Sequence, residues 1–350
     1  MIKKSLFALS ILMSLGIHAQ DVTPYNLSTM TEGVVYYLPK TLLQIKVTTT
    51  QTSYTPGEFC QYADRFLRLK DVIAQPKTSW AIQSIEVTPF GIPNPELAYS
   101  IKLKDKSVSS QVELTDDGII KAINTTAPQK ETAVKPAVKS KEERIDPKKF
   151  MTEEMLMASS NIKMAELIAK EIYAIRESKN SLTRGQADYM PKDGDALQIM
   201  LDNLNAQEKA LTEMFSGFTE TSEKEFTFTI TPTTDIQNDI ICRFSEKLGI
   251  LKENDLAGEP IYISIVKKAE KSPVAAESKK EKQLNGIIYN IPGEATVTIN
   301  TTDQQYYQEN ISFGQFGETE VLVNSLFNKK INTRVIFNPI TGAIVKIDKD

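Results

Sequence analysis

Apolar and polar residues alternate with a period of two over much of this chain and recur at i, i+3 and i+4 over one central block. Residues 33–50 (GVVYYLPKTLLQIKVTTT) are rich in β-branched and aromatic residues. Leu43, Ile45 and Val47 alternate with polar neighbours, so the segment predicts strand, with Pro39 marking a break or an edge. Residues 80–103 predict strand interrupted at Pro89-Phe90-Gly91-Ile92-Pro93-Asn94-Pro95. Residues 112–123 predict a hairpin turning at Asp116-Asp117-Gly118. Strands are also expected at 225–233, 260–266, 286–300, 311–313, 319–326 and 333–347, the last folding back at Asn338-Pro339-Ile340-Thr341-Gly342. Short helices are expected at 55–69, where Phe59, Tyr62, Phe66 and Leu69 share a face, and at 239–249.

The central block has helical spacing. Met164, Leu167, Ile168, Ile172 and Ile175 form one stripe, and Leu197, Met200, Leu201, Leu204, Leu211 and Phe215 a second. Asp195 and Gln198 resemble a capping box, and Gly217 is a C-terminal stop. The stripes pair in an α-helical hairpin closed by the loop 180–194. Residues 125–150 have few large apolar groups and predict a flexible linker, and 267–282 an exposed loop between strands. The expected fold class is α+β. A signal peptide (1–19) precedes an N-terminal β-rich unit (20–124), the linker (125–150), the helical hairpin (151–217) and a C-terminal β-rich unit (218–350).

The two β-rich units resemble each other. Gly33-Val-Val-Tyr-Tyr-Leu-Pro39 parallels Gly286-Ile-Ile-Tyr-Asn-Ile-Pro292, and the segment from Val112 through Gly118 to Lys121 parallels that from Val335 through Gly342 to Lys346. Phe90-Gly91 and Phe316-Gly317 fall between the paired segments. Cys60, Tyr62, Asp64 and Arg65 share the spacing of Cys242, Phe244, Glu246 and Lys247, though the second cysteine segment precedes its strand and the first follows it. An internal duplication is the expectation. The alternative is common reuse of strand–Pro and turn–Gly patterns. If equivalent helices meet at a pseudo-twofold axis, Cys60 lies beside Cys242 as a candidate disulfide; otherwise both are buried free thiols.

Residues 1–20 begin with Lys3 and Lys4, continue in an apolar run from Leu6 to Ile17 and end in His18-Ala19-Gln20. This is the anatomy of a secretory signal peptide cleaved after Ala19, and the run is too short to span a bilayer. His18 is the only histidine, so the mature chain has none. That removes Ser-His-Asp and Cys-His catalysis and every histidine-containing zinc site. Loss of Lys3 and Lys4 takes the net charge from -4 to -6. An acidic chain lacks the basic face that nucleic acid requires. No metal and no cofactor is expected.

The motifs quoted above, with Tyr54-Thr-Pro-Gly-Glu-Phe-Cys60, Ile172-Tyr-Ala-Ile-Arg176-Glu-Ser178 and Met190-Pro-Lys-Asp-Gly-Asp-Ala-Leu197, resemble a group of secreted proteins of Gram-negative gut bacteria. That group is catalogued as domain of unknown function 4831. The resemblance covers nearly the whole mature chain. It implies a periplasmic or outer-membrane address and brings no activity, ligand or catalytic residue with it.

Candidate chemistry is sparse. Ser160-Asn-Ile-Lys163 fits S-x-x-K, without the S-D-N and K-T-G partners that penicillin-binding enzymes need. Asp193-Gly194-Asp195 starts like a calcium loop, but Leu197 takes the next ligand position. No Walker A loop or G-x-G-x-x-G occurs. The candidate binding residues are Arg176, Arg184, Asp188 and Tyr189 in and beside the helix connection, against the alternative of an internal ion pair that fixes the loop, and Tyr306-Tyr307 among Gln304, Gln305 and Gln308 as a sugar-stacking platform, against the alternative of ordinary tyrosines on a β-edge. The expected function is a non-catalytic envelope module that binds a protein or glycan. The alternative is a carboxylate-dependent, glycosidase-like hydrolase, which needs only two acidic residues.

Overall fold

The structure is a computed structural model describing residues 20–24, 34–103, 111–128, 144–191, 193–269, 286–323, 326–327 and 333–349. The expected signal peptide and the middle of the expected linker lie outside these residues. The N-terminal strands are β1 (Gln20–Pro24), β2 (Val34–Thr55), β3 (Lys77–Leu103), β4 (Val112–Leu114) and β5 (Ile120–Ile123). A 3-10 turn (Cys60–Tyr62) and α1 (Ala63–Leu67) interrupt them. The central helices are α2 (Glu153–Leu156), α3 (Asn161–Thr183) and α4 (Gly194–Ser216). The later strands are β6 (Phe218–Ile230), β7 (Ile236–Ser245), β8 (Gly249–Leu251), β9 (Glu259–Lys267), β10 (Gly286–Asn300), β11 (Gln305–Val323), β12 (Thr333–Phe337) and β13 (Ile344–Lys349). The protein is α+β.

The strands form three antiparallel sheets, ordered β1-β3-β2-β6, β11-β10-β9-β7-β8 and β13-β12-β5-β4. Pro39 neither breaks β2 nor marks an edge: β2 runs unbroken between β3 and β6. A bulge absorbs the proline. Between the pairs Tyr37↔Ala98 and Pro39↔Pro93, Leu38 faces Asn94, Pro95, Glu96 and Leu97. β3 likewise stays continuous through its prolines. β1 covers only Tyr99–Leu103, so Pro89, Pro93 and Pro95 lie where the other edge of β3 is open and a missing N–H costs no ladder bond. The β10–β11 hairpin has a matching bulge, in which Pro292 faces Gly314, Gln315, Phe316 and Gly317 between Ile291↔Glu318 and Gly293↔Phe313.

These bulges bend both hairpins and divide their residues between two cores. After the bulges, Leu43, Ile45 and Val47 meet Val297, Ile299 and Phe313, with β9 adding Ile261, Ile263 and Ile265. Before them, Tyr36, Leu38 and Ile287 pack with Ile120, Ile123, Val335 and Phe337 of the small sheet. β6 pairs with β2 throughout, so the segments 20–124 and 218–350 share both sheets and cores. The α-helices close a third core with Phe59, Leu67, Ile168, Ile172, Leu211 and Phe215.

Two further expectations are corrected, at residues 239–249 and at the end of the linker. Residues 239–245 are the end of β7 and 246–248 the turn into β8, not helix. Register shifts in β7 between Ile236 and Asp239 and between Ile240 and Cys242 turn Ile241 and Cys242 both inward, which breaks the period-two signal and mimics helical spacing. The cysteines are free: Cys242 is buried in the sheet core, whereas Cys60 is half-buried in the 3-10 turn beside the helical core. With no second cysteine helix, the geometry for a bridge is absent. Finally, the end of the expected linker is docked. The Arg144 guanidinium stands 3.5 Å from the Phe218 ring and 3.1 Å from Glu213, and Pro147 is buried.

Candidate functional site

The helix connection starts from two capped helices. Ser160 caps α3, its hydroxyl accepting the Lys163 backbone N–H at 3.3 Å, while Lys163 Nζ pairs with Glu166 at 3.4 Å. The S-x-x-K match is thus a helix start, with the lysine directed to a carboxylate. Asp193, not Asp195, caps α4 by accepting the Ala196 N–H at 2.7 Å. Gln198 bonds Asp202 instead of closing a capping box.

Arg176 does not reach into the loop. Its Nε donates to Glu208 at 2.6 Å and Lys179 Nζ donates to the same carboxylate at 2.7 Å, tying α3 to α4. Burial pushes the Glu208 pKa up, but the hydrogen bonds from Lys179 and Arg176 outweigh it and hold the group below its ordinary value. Arg184 is the exposed C-cap of α3. Asp188 is exposed, and Tyr189 is 72 % exposed. The connection therefore presents Arg184, Asp188 and Tyr189 to solvent, with Arg176 engaged elsewhere.

Tyr306 and Tyr307 are half-buried against the sheet core, as ordinary strand tyrosines are. Tyr307 is paired with the inward Ile299 and donates to Glu309 at 3.1 Å, and burial leads the rise of its phenol pKa to about 12. A different surface lies behind these tyrosines. On β9, β10 and β11 the inward residues Ile261, Ile263, Ile265, Val297 and Ile299 alternate with outward ones. The outward residues pair in rows across the three strands: Tyr262–Asn300–Gln305, Ser264–Thr298–Gln308 and Val266–Thr296–Asn310. No position in these rows is charged. Asn238 on β7 extends the middle row by bonding Ser264 through both its backbone N–H (3.0 Å) and its side-chain oxygen (3.2 Å). Thr296 donates to Asn310 at 3.0 Å.

The outer face of the four-stranded sheet differs. Its corresponding rows hold Lys46, Glu86 and Glu225, with Lys46 and Glu225 paired at 2.9 Å. The uncharged rows escape the sequence reading, although the outward phase of 260–266, 296–300 and 305–310 carries the signal. What hides it is that cross-strand neighbours are far apart in the chain.

One cavity of about 250 Å³ is lined by Lys267, Lys268, Glu294, Phe316 and Glu318, with Lys268 and Glu294 paired at 3.2 Å. Another of about 200 Å³ lies around Arg144, Glu213 and Phe218. Among the described residues no group of three or more His, Cys, Asp or Glu is placed to hold a metal. None of the described helices is long and apolar enough to cross a membrane.

A family model described as Domain of unknown function (DUF4831) matches residues 32–345. No curated protein and no solved structure matches the chain.

Proposed function

This chain belongs to the DUF4831 family, and from that premise we propose that it is a secreted cell-envelope protein acting as a non-catalytic binding or interaction module for a protein or glycan. One observation carries the reading: uncharged polar groups line the central outer rows of the five-stranded sheet, and Arg184, Asp188 and Tyr189 are exposed in the helix connection. Both cavities fall below the roughly 300 Å³ at which small-molecule sites begin. The address rests on the leader 1–19 and predicts a mature N-terminus at Gln20, to be checked by terminal sequencing of protein from the envelope fraction.

The internal duplication belongs to the same proposal. Each half has a long hairpin with a one-against-four bulge at its proline, and a third strand alongside, β6 or β9. The Tyr37 N–H donates to Gly118 O at 2.9 Å, and its counterpart, the Asn290 N–H, donates to Gly342 O at 3.1 Å. Both glycines have positive φ, +84° and +78°, in their hairpin turns. The small hairpins join through β5 and β12, the second strand of one and the first of the other, so like does not pair with like as a strict twofold requires.

Cross-linking in intact cells, followed by purification from the envelope and mass spectrometry, tests the reading. It predicts a reproducible partner or a retained glycan. Turnover of a glycan or peptide by purified protein, abolished by one Asp or Glu substitution, overturns it in favour of the hydrolase.

A further inference from the structure

We propose that the outer face of the five-stranded sheet binds a neutral polysaccharide, with Tyr262, Ser264, Thr298, Asn300 and Gln308 at its centre; this rests on the reading of the protein as a binding module. The argument starts from what the face lacks. A quarter of the chain is charged, yet the nine positions of the three central rows carry no charge; Arg243, paired with Pro260, and Glu294, paired with Ser312, stand only at their margins. A charged group bound against a neutral ligand loses hydration and gains no counter-charge, so a face for such a ligand is built without them. The opposite sheet, of the same construction, shows that the architecture does not impose neutrality, since Lys46, Glu86 and Glu225 stand on its outer face.

What the face carries matches the same ligand. Amides and hydroxyls donate and accept at once, as sugar hydroxyls do. Asn300, Gln308 and Asn310 provide the amides, and Ser264, Thr296 and Thr298 the hydroxyls. Tyr262, half-exposed at one end, offers a ring for the apolar face of a sugar. Strand spacing makes the surface about 10 Å across the strands and about 13 Å along them, the footprint of a short oligosaccharide. The bonds Asn238–Ser264 and Thr296–Asn310 fix side chains before any ligand arrives, which lowers the ordering cost of binding. Neither cavity includes these rows, so the face suits a chain lying across it better than an enclosed monosaccharide.

The test is native electrophoresis of the full mature protein in gels containing dextran, starch, galactomannan or β-glucan, against polygalacturonate and chondroitin sulfate as anionic controls. The wild type is expected to be retarded by at least one neutral polymer and by neither anionic one. Tyr262→Ala is expected to weaken retention about tenfold or more, the scale of losing a central aromatic contact. Thr298→Asp and Thr298→Lys are both expected to abolish it, because either charge is stranded against a neutral ligand. Far-UV dichroism and the melting temperature confirm that each variant folds. Retardation by no neutral polymer overturns the proposal, as does loss with only one sign of charge, which identifies a charged ligand. Retention unchanged by both charges also overturns it. A photo-cross-linker at position 298 or 189 separates the two readings: protein capture without polysaccharide retention sinks the glycan inference and leaves the binding module standing. Turnover of the polymer sinks the module.

Discussion

At the scale of single residues, the junction between the halves rests on a few buried polar groups. The Asn290 side-chain amide donates to Pro39 O at 3.3 Å and Thr341 O at 2.9 Å. Gln315 accepts the Thr41 N–H at 2.8 Å and donates to Thr41 O at 2.7 Å and Pro232 O at 2.9 Å, standing in for a strand where two sheets meet. Asn290→Ala leaves carbonyls unpaired in a dry site and is expected to lower unfolding free energy by about 1–3 kcal/mol, read from urea denaturation. The cysteines make a second residue-scale prediction. Burial pushes the Cys242 thiol up to about 12, so it is expected to resist alkylation until the protein unfolds, and a non-reducing peptide map is expected to lack a Cys60–Cys242 link. A linked peptide in that map would contradict the separate cores described above.

At the scale of elements, α3 and α4 are joined by apolar stripes visible in the sequence and by an ion triad that is not. Arg176 and Lys179 share Glu208 across the helix pair, residues that no spacing rule connects. Glu208→Ala is expected to cost about 1 kcal/mol, because the triad is only partly screened from water. Glu113 is held below its ordinary value first by the hydrogen bond from Lys121, then by the Ala127 N–H. For both carboxyls the folded pKa is depressed. Their stabilisation is therefore complete above the unfolded value, near 4.5, and is lost as pH falls through the folded one. Thermal midpoints are expected to drop below about pH 4.5. Glu208→Gln is expected to flatten that slope; an unchanged slope would show that the triad contributes nothing.

For the whole molecule, the decisive feature is that neither β half owns a core. Trp80, the sole tryptophan, shows the interlock directly. Its backbone N–H donates to Glu246 O at 2.8 Å, its ring lies against Gly249, and Lys224 Nζ stands 4.8 Å from the ring centroid. A truncation ending at residue 128 is expected to be unfolded by far-UV dichroism, since β2 loses β6 and both cores lose their second half. Phe313→Ala, in the other half, is expected to destabilise by about 3–5 kcal/mol. It is also expected to shift the Trp80 fluorescence transition with the dichroism transition. A Trp80 transition that stays in place would show that the halves unfold separately.

Local pattern by itself determined a good deal here. Alternation in 33–50, 225–233 and 260–266 marks strands because each buries one face, and the stripes of α3 and α4 mark helices because each buries one side. The likeness of Gly-Val-Val-Tyr and Gly-Ile-Ile-Tyr was legible because both segments lead into long strands, β2 and β10. Tertiary structure alone decided the rest. Bulges formed beside Pro39, at Leu38, and at Pro292 because a continuous hairpin bent at one point fills two cores. Residues 239–245 became strand because pairing with β9 outweighs an ambiguous period. The neutral face emerged only when residues from β9, β10 and β11 were laid side by side, because cross-strand adjacency is a property of register, which the turns and the cores fix together.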